Sequence, residues 1–104
     1  MFDLSSLKPI ILSTQKTLKQ YGFHNQIIQV SEECAELLVA LSKFRRGTGS
    51  REDVLEEVAD VIIVALQSIT LTEYDLRDLE KKLLEKHNKL LHRIKMDEGQ
   101  GEGP

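Results

Sequence analysis

The stretch SEECAELLVALSKFRRGTGSREDVLEEVAD, residues 31–60, decides the fold of this chain. On both sides of residues 47–50 its apolar residues recur every three or four positions, which predicts two amphipathic helices joined by a short turn. Each of these helices also carries carboxylates within its apolar pattern. A charge removed from water without a partner costs several kcal/mol or shifts its pKa until it is neutral, so these carboxylates need an explanation.

The same apolar period extends in both directions and predicts four helices. Gly22 is expected to end the first helix, because glycine is common just after a helix C-terminus. Asn25 is a suitable N-cap for the second helix. Ser50 with Asp53 resembles a capping box for the third, and Thr72 with Asp75 repeats that pattern for the fourth. The predicted helices cover residues 6–21, 25–46, 51–69 and about 73–97.

No segment alternates with period two, and no Rossmann-type glycine pattern, P-loop or fixed repeat is found in the sequence. The fold class is therefore predicted as all-α, an antiparallel four-helix bundle in a single domain of residues 1–97. Residues 98–104, EGQGEGP, are expected to form a disordered Gly-rich tail. Apolar residues cover more than one face of the third helix, which favours association into a dimer or tetramer.

Composition narrows the possible functions. A formal net charge of −3 on a chain that is 30% charged offers no basic footprint for nucleic acid or an anionic membrane. The longest apolar run, residues 61–66, is too short to span a bilayer. Cys34 is the only cysteine, so no intramolecular disulfide is expected. These features predict a soluble, cytoplasmic protein.

The acidic residues of the central stretch fall on two helical flanks. Glu32, Glu33 and Glu36 have spacings of three and four, and Glu57 and Asp60 are three apart. In an antiparallel hairpin with a rise of about 1.5 Å per residue, Glu36 lies roughly 14 Å before the turn. The second pair lies roughly 9 to 14 Å beyond it. The two acidic groups are therefore expected at matching heights.

Convergence of these carboxylates would be costly without a counterion, since two unit charges at 4 Å repel by about 4 kcal/mol at an effective dielectric of 20. Oxygen-only ligands favour a hard cation such as Mg²⁺, with Mn²⁺ as a possible substitute. Mg²⁺ sites are commonly completed by substrate phosphates. The alternative is that the acids are ordinary surface residues in ion pairs with the basic residues near the turn, which are Lys43, Arg45, Arg46 and Arg51.

In these two acidic motifs the sequence resembles the MazG-like family of nucleoside triphosphate pyrophosphohydrolases. The family signature is Glu-Glu-x-x-Glu, a spacer and Glu-x-x-Asp, and residues 32–36 and 57–60 match it. The resemblance implies Mg²⁺-dependent cleavage of a (d)NTP between the α and β phosphorus to give the monophosphate and pyrophosphate. It also implies a metal-ligand set, Glu33, Glu36, Glu57 and Asp60, with Glu32 flanking the site.

The same family places a lysine and an arginine four residues apart on its last helix, and Lys89 and Arg93 match that spacing. If the fourth helix returns along the third, Lys89 is level with about Asp53 and Arg93 lies near the turn. Both residues are then expected to bind the distal phosphates of the nucleotide. The alternative is that the two cations only complement the dipole at the helix C-terminus.

Acidic helical motifs of this kind also occur in other classes of protein. Phosphoribosyl-ATP pyrophosphohydrolases have similar acidic motifs, and a non-catalytic helical interaction module would make the acids structural. A di-iron bundle is disfavoured, because such sites use Glu-x-x-His pairs and neither acidic pair has a histidine three residues on.

The remaining distinctive side chains are expected to be structural or solvated. The aromatic residues Tyr21, Phe23 and Phe44 are predicted as core residues in preference to stacking partners for a base. Cys34 is predicted as a small apolar core residue. The histidines, which are His24, His87 and His92, lack metal-ligand spacing and are expected to be solvated.

Overall fold

The structure is a computed structural model that describes the chain over residues 3–101, with side chains described for residues 3–99. A short 3-10 helix, Ser5–Leu7, leads into three α-helices. These are α1 (Lys8–Arg45), α2 (Arg51–Leu71) and α3 (Leu76–Gly101). No strand occurs in this part of the chain, so the all-α prediction is confirmed.

Gly22 divides α1 into two segments. Its φ of 84° and ψ of 162° are not helical, and this left-handed φ suits glycine because it has no Cβ. The helix resumes at once, so Asn25 does not begin a separate helix after a loop. Instead Asn25 Nδ2 donates a hydrogen bond to the Tyr21 carbonyl across the break, at 2.7 Å. The predicted stop is real, but it is a kink inside one long helical element.

The turn between α1 and α2 closes the predicted hairpin. Gly47 has a φ of 80°, and the amides of Thr48 and Gly49 donate to the Lys43 carbonyl. This capping satisfies the last carbonyls of α1. The Asp53 amide donates to Ser50 Oγ at 3.0 Å, so Ser50 is the N-cap of α2 as predicted.

The start of α3 differs from the prediction by one turn. Thr72 belongs to the end of α2, where its hydroxyl donates to the Ser68 carbonyl, and Glu73 follows with a φ of 65°. The capping box is Asp75 with Asp78, whose side chains accept reciprocally from each other's amides at 3.0 and 3.1 Å. The threonine at position 72 satisfies the preceding helix, so the cap falls to the next suitable residue.

α1 and α2 pack against each other along the hairpin, whereas α3 makes only marginal contact with them. The radius of gyration is 17.4 Å, compared with about 13 Å for a compact domain of this length. The leucines of α3 beyond residue 80 form part of an apolar stripe, and all of them are exposed: Leu83, Leu84, Leu90 and Leu91. The single chain therefore does not form the compact four-helix bundle that the sequence pattern predicts.

α3 extends to Gly101, so residues 98–101 are helical where composition predicts a disordered tail. The rest of that predicted tail, residues 102–104, lies outside the described residues. Few apolar side chains are buried among the described residues, and they are Ala40, Val64 and Leu66. Among the described helices, none has a stretch that is both long and apolar enough to cross a bilayer.

Candidate metal and nucleotide site

The hairpin brings the two acidic motifs together. Carboxylate oxygens of Glu33, Glu36 and Glu57 all lie within 4.8 Å of one another. Glu36 lies opposite Glu57, and one turn further from the loop Glu33 lies opposite Asp60. The residue number therefore falls by three on α1 while it rises by three on α2. This register is that of an antiparallel pair, and it places the acids at the matching heights that the sequence predicts.

Two of these carboxylates are only partly satisfied. Glu33 Oε2 and Glu57 Oε2 are buried atoms without a hydrogen-bond partner. Burial raises the pKa of Glu33 above its ordinary value of 4.5, and the charges of Glu36 and Asp60 raise it further. Burial likewise raises the pKa of Glu57, followed by the charges of Glu36, Asp60 and Glu33. The cluster therefore favours a proton or a cation.

Basic side chains do not supply that cation. A salt bridge joins Lys82 and Glu85, at 2.8 Å, on the surface of α3 and away from the acidic cluster. Lys43 lines a small cleft with Glu36 and Glu57 but forms no salt bridge with either. The alternative that the acids are ordinary ion-paired surface residues therefore has no support in the described part of the chain.

Asp60 and Glu32 lie at the edge of the acidic cluster. Both are exposed and line the same cleft as Glu33. The apolar run around Asp60 suggests a buried setting, but Ile62 and Ile63 in that run are themselves 45% and 39% exposed. The reason is that no helix of the described chain covers this side of α2. Asp60 contributes its charge to the cluster without being buried in it.

The cleft itself has a volume of about 490 Å³, within the range of about 300 to 1,000 Å³ that small-molecule sites occupy. Glu32, Glu33 and Asp60 line one end of it, whereas Glu36 and Glu57 line the adjacent small cleft. At the other end, two turns further along the hairpin, Gln26 Nε2 donates a hydrogen bond to Gln67 Oε1. Between the ends, Gln29 Nε2 donates to Glu33 Oε1 at 2.7 Å.

The amides of Gln26 and Gln67 are site features that the sequence reasoning missed. A glutamine in an apolar helical pattern is the only local signal, and glutamine is usually exposed. The pairing depends on the register of two helices that are far apart in sequence, so a local pattern does not reveal it. Once the acidic register is known, the same antiparallel spacing places these two positions opposite each other.

Lys89 and Arg93 lie on α3 and are exposed. No hydrogen bond or salt bridge joins either residue to the acidic cluster in the described structure. The expectation that the last helix returns along the preceding one is not met in the single chain, because α3 makes only marginal contact with α2. Their role as phosphate ligands stays a prediction.

Two groups of side chains differ from their predicted environment. Tyr21, Phe23 and Phe44, predicted as core, are 60%, 59% and 48% exposed, and Tyr21 lines the cleft. Cys34, also predicted as core, is exposed. The physical reason is the same for both groups, because α1 packs against only one helix, α2. The spacing of apolar residues predicts a buried face for these side chains, but a single chain does not bury that face.

Comparison with known proteins gives no family assignment for this chain. A scan of family models, a search of characterised proteins and a search of solved structures each found no match. The functional assignment therefore depends on the residues of the cleft.

Proposed function

We propose that this protein is a Mg²⁺-dependent nucleoside triphosphate pyrophosphohydrolase that cleaves a (d)NTP to the (d)NMP and pyrophosphate. The observation that carries the proposal is the convergence of Glu33, Glu36 and Glu57 within 4.8 Å, without a salt bridge to a basic side chain, beside a ligand-sized cleft that Glu33 lines. The MazG-like motif in residues 32–36 and 57–60 gives the substrate class and the bond.

The residues present fit a hard divalent cation. Glu33 and Glu57 each have a buried carboxylate oxygen without a hydrogen-bond partner. Such an oxygen is available to coordinate a cation. The donor set consists of oxygens, and neither a histidine nor a thiolate belongs to the cluster. Glu33, Glu36, Glu57 and Asp60 would hold the ion, and Mn²⁺ is the expected substitute.

When bound, Mg²⁺ supplies charge neutralisation at phosphate oxygens and lowers the pKa of a water. In the net reaction, a water oxygen forms a bond to the α phosphorus, the α–β phosphoanhydride bond breaks, and pyrophosphate leaves with the bridging oxygen. Glu32, which is exposed and lines the cleft beside Glu33, is proposed to orient that water and accept its proton. A protein nucleophile is not required.

Lys89 and Arg93 are the proposed ligands of the departing pyrophosphate. Their side chains are exposed on α3 and carry the positive charge that a leaving pyrophosphate requires. Because α3 makes only marginal contact with the hairpin of its own chain, we assign this role to α3 of a second copy. The four-helix bundle would then be formed by both segments of α1, by α2 and by the partner's last helix.

A homodimer or homotetramer is supported by the apolar surface that the single chain exposes. Leu83, Leu84, Leu90, Leu91 and Ile94 form a stripe along α3 and are 39–51% exposed. Few apolar side chains are buried in the described chain, which is a small core for a stable domain. A second copy would cover the stripe. The lone cysteine, without a disulfide, agrees with a cytoplasmic location.

A product assay tests the proposal. The pure protein is incubated with Mg²⁺ and a panel of dNTPs, rNTPs and phosphoribosyl-ATP, and the products are resolved. Monophosphate plus pyrophosphate supports the proposal, and preference for phosphoribosyl-ATP would select the related pyrophosphohydrolase activity. Diphosphate plus phosphate would overturn the bond assignment. No turnover, together with no stabilisation by Mg²⁺, would favour a non-catalytic interaction module.

A further inference from the structure

Two glutamines meet in the interior of the hairpin. Gln26 on α1 is 3% exposed and Gln67 on α2 is 8% exposed, and their amides are hydrogen-bonded to each other. Buried amides normally use their full hydrogen-bonding capacity, because each group left unsatisfied has lost its water without compensation. A buried glutamine pair that uses only part of this capacity therefore needs an additional reason.

The amide pair has spare hydrogen-bonding capacity. Each glutamine side chain has one carbonyl oxygen and one NH₂ group, and a single hydrogen bond between the two uses only one donor and one acceptor position. No other hydrogen bond of either side chain is found among residues 3–99. The conclusion holds in either orientation of the two amides, because exchanging O and N on both still leaves an acceptor and a donor available.

The spare groups face a ligand-sized space. Gln26 and Gln67 both line the cleft of about 490 Å³ whose other end carries Glu33 and Asp60. The two ends are seven residues apart on α1, which corresponds to about 10 Å along the helix. That distance is comparable to the length of a nucleoside. A nucleotide whose α-phosphate lies at the acids would therefore place its base near the amides.

Tyr21 adds a planar surface to the same end of the cleft. Its ring is 60% exposed and belongs to the cleft lining, beside the break in α1 at Gly22. Aromatic rings in such positions stack on any of the bases, whereas side-chain amides distinguish the hydrogen-bond donors and acceptors on the edge of a base. The cleft thus combines a stacking surface with a hydrogen-bonding pair.

We propose that this end of the cleft is a nucleobase subsite, in which Gln26 and Gln67 select the base by hydrogen bonds to its edge and Tyr21 covers one face of it. The inference rests on the proposed function, since it identifies which part of the nucleotide occupies the end of the cleft away from the acids. The ligand chemistry is a neutral planar heterocycle with a donor and an acceptor on adjacent ring positions.

The test compares wild type with the double variant Gln26→Leu/Gln67→Leu. Replacing both partners of a buried hydrogen bond with apolar groups of similar shape is nearly neutral for folding, so this variant is expected to fold. The matched control is Gln15→Leu/Gln20→Leu, two exposed glutamines of α1 that lie outside the cleft lining. A circular dichroism melt verifies folding of all three proteins.

Two readouts separate this inference from the proposed function. The first is the binding of the four common ribonucleosides, without phosphate or metal, measured by NMR titration. The second is kcat/KM for the four triphosphates and for methyl triphosphate, which keeps the scissile bond but has no base. The double variant is expected to lose nucleoside binding and about tenfold or more of its discrimination among bases, while methyl triphosphate hydrolysis is unchanged.

Each outcome decides the proposal. Loss of nucleoside binding in the double variant but not in the control supports the subsite, even if wild type hydrolyses no triphosphate and the enzymatic proposal fails. Absence of nucleoside binding to wild type overturns the subsite, even if methyl triphosphate is hydrolysed. Retained binding and retained base discrimination in the double variant also overturn it.

Discussion

Gln29 Nε2 donates a 2.7 Å hydrogen bond to Glu33 Oε1, while the other oxygen of the same carboxylate is buried without a partner. The two residues are one helical turn apart on α1, so the contact is local and fixes the direction of the carboxylate. This hydrogen bond lowers the pKa of Glu33, in opposition to burial and to the neighbouring charges. Gln29 therefore orients the carboxylate of the proposed metal ligand, although the net effect of its surroundings is still a raised pKa.

Replacing Gln29 with leucine is expected to weaken Mg²⁺ binding by about 10- to 100-fold, which is typical for the loss of a residue that orients a metal ligand. Isothermal titration with Mg²⁺ measures this change. Gln20→Leu, an exposed substitution of the same kind on α1, serves as the control. Equal affinity for Mg²⁺ in Gln29→Leu and wild type would show that the hydrogen bond has no role in the site.

Asp60→Asn is expected to reduce kcat/KM by about 100-fold or more, because it removes a proposed metal ligand at the edge of the cluster. Folding should be retained, and the metal-free protein should be slightly more stable since a negative charge beside Glu33 and Glu57 is lost. Steady-state kinetics and a thermal melt check the two parts. If Asp60→Asn instead unfolds the protein, Asp60 is a structural residue.

Glu57→Gln is expected to stabilise the metal-free protein at neutral pH. The folded-state pKa of Glu57 is raised, so the folded protein binds more protons than the unfolded chain and stability falls as the pH rises above the ordinary pKa of 4.5. Below that value both states are protonated and the advantage of the variant should disappear. Urea melts at several pH values, without metal, measure this difference.

The control for that experiment is Glu52→Gln, an acid in the first turn of α2. There a negative charge complements the helix dipole, so its removal should give no gain in stability at any pH. Stabilisation of equal size in both variants would mean that net charge, and not the acidic cluster, is responsible.

Leu83→Glu and Leu90→Glu are each expected to dissociate the proposed oligomer into monomers. The two leucines are 39% and 47% exposed in the single chain and lie two turns apart on the apolar stripe of α3. Burying a charge there without a partner would weaken association by about 100-fold or more. Sedimentation equilibrium gives the mass. Lys81→Gln changes the charge by the same amount on the polar side of α3 and should leave the mass unchanged.

Lys89→Ala and Arg93→Ala are expected to raise KM for the triphosphate much more than the dissociation constant of the monophosphate, since only the triphosphate carries the distal phosphates. Each loss should be about tenfold or more, as a charge-assisted hydrogen bond is removed. Lys95→Ala, on the same helix, is the control. Equal effects on both nucleotides would assign the two residues to general electrostatic attraction.

Local features of the sequence determined the helices and the register of the acids. The 3.6-residue period defines α2 almost to its observed ends, Ser50 caps it, and Gly22 breaks α1, because each depends on neighbours along the chain. Equal spacing of Glu33 to Glu36 and of Glu57 to Asp60 then fixed their facing positions in an antiparallel hairpin. The start of α3 was missed by one turn, since two threonine and aspartate caps compete there.

Tertiary structure alone decided the rest. The meeting of Gln26 with Gln67, and the burial of single oxygens of Glu33 and Glu57, depend on how two distant helices pack. The exposure of Tyr21 and of the apolar stripe on α3 depends on which partner packs against them. The 3.6-residue period of apolar residues identifies an apolar helix face but not the element that covers it. The sequence by itself therefore determined where helices and acids lie, whereas packing decided which side chains share a cleft.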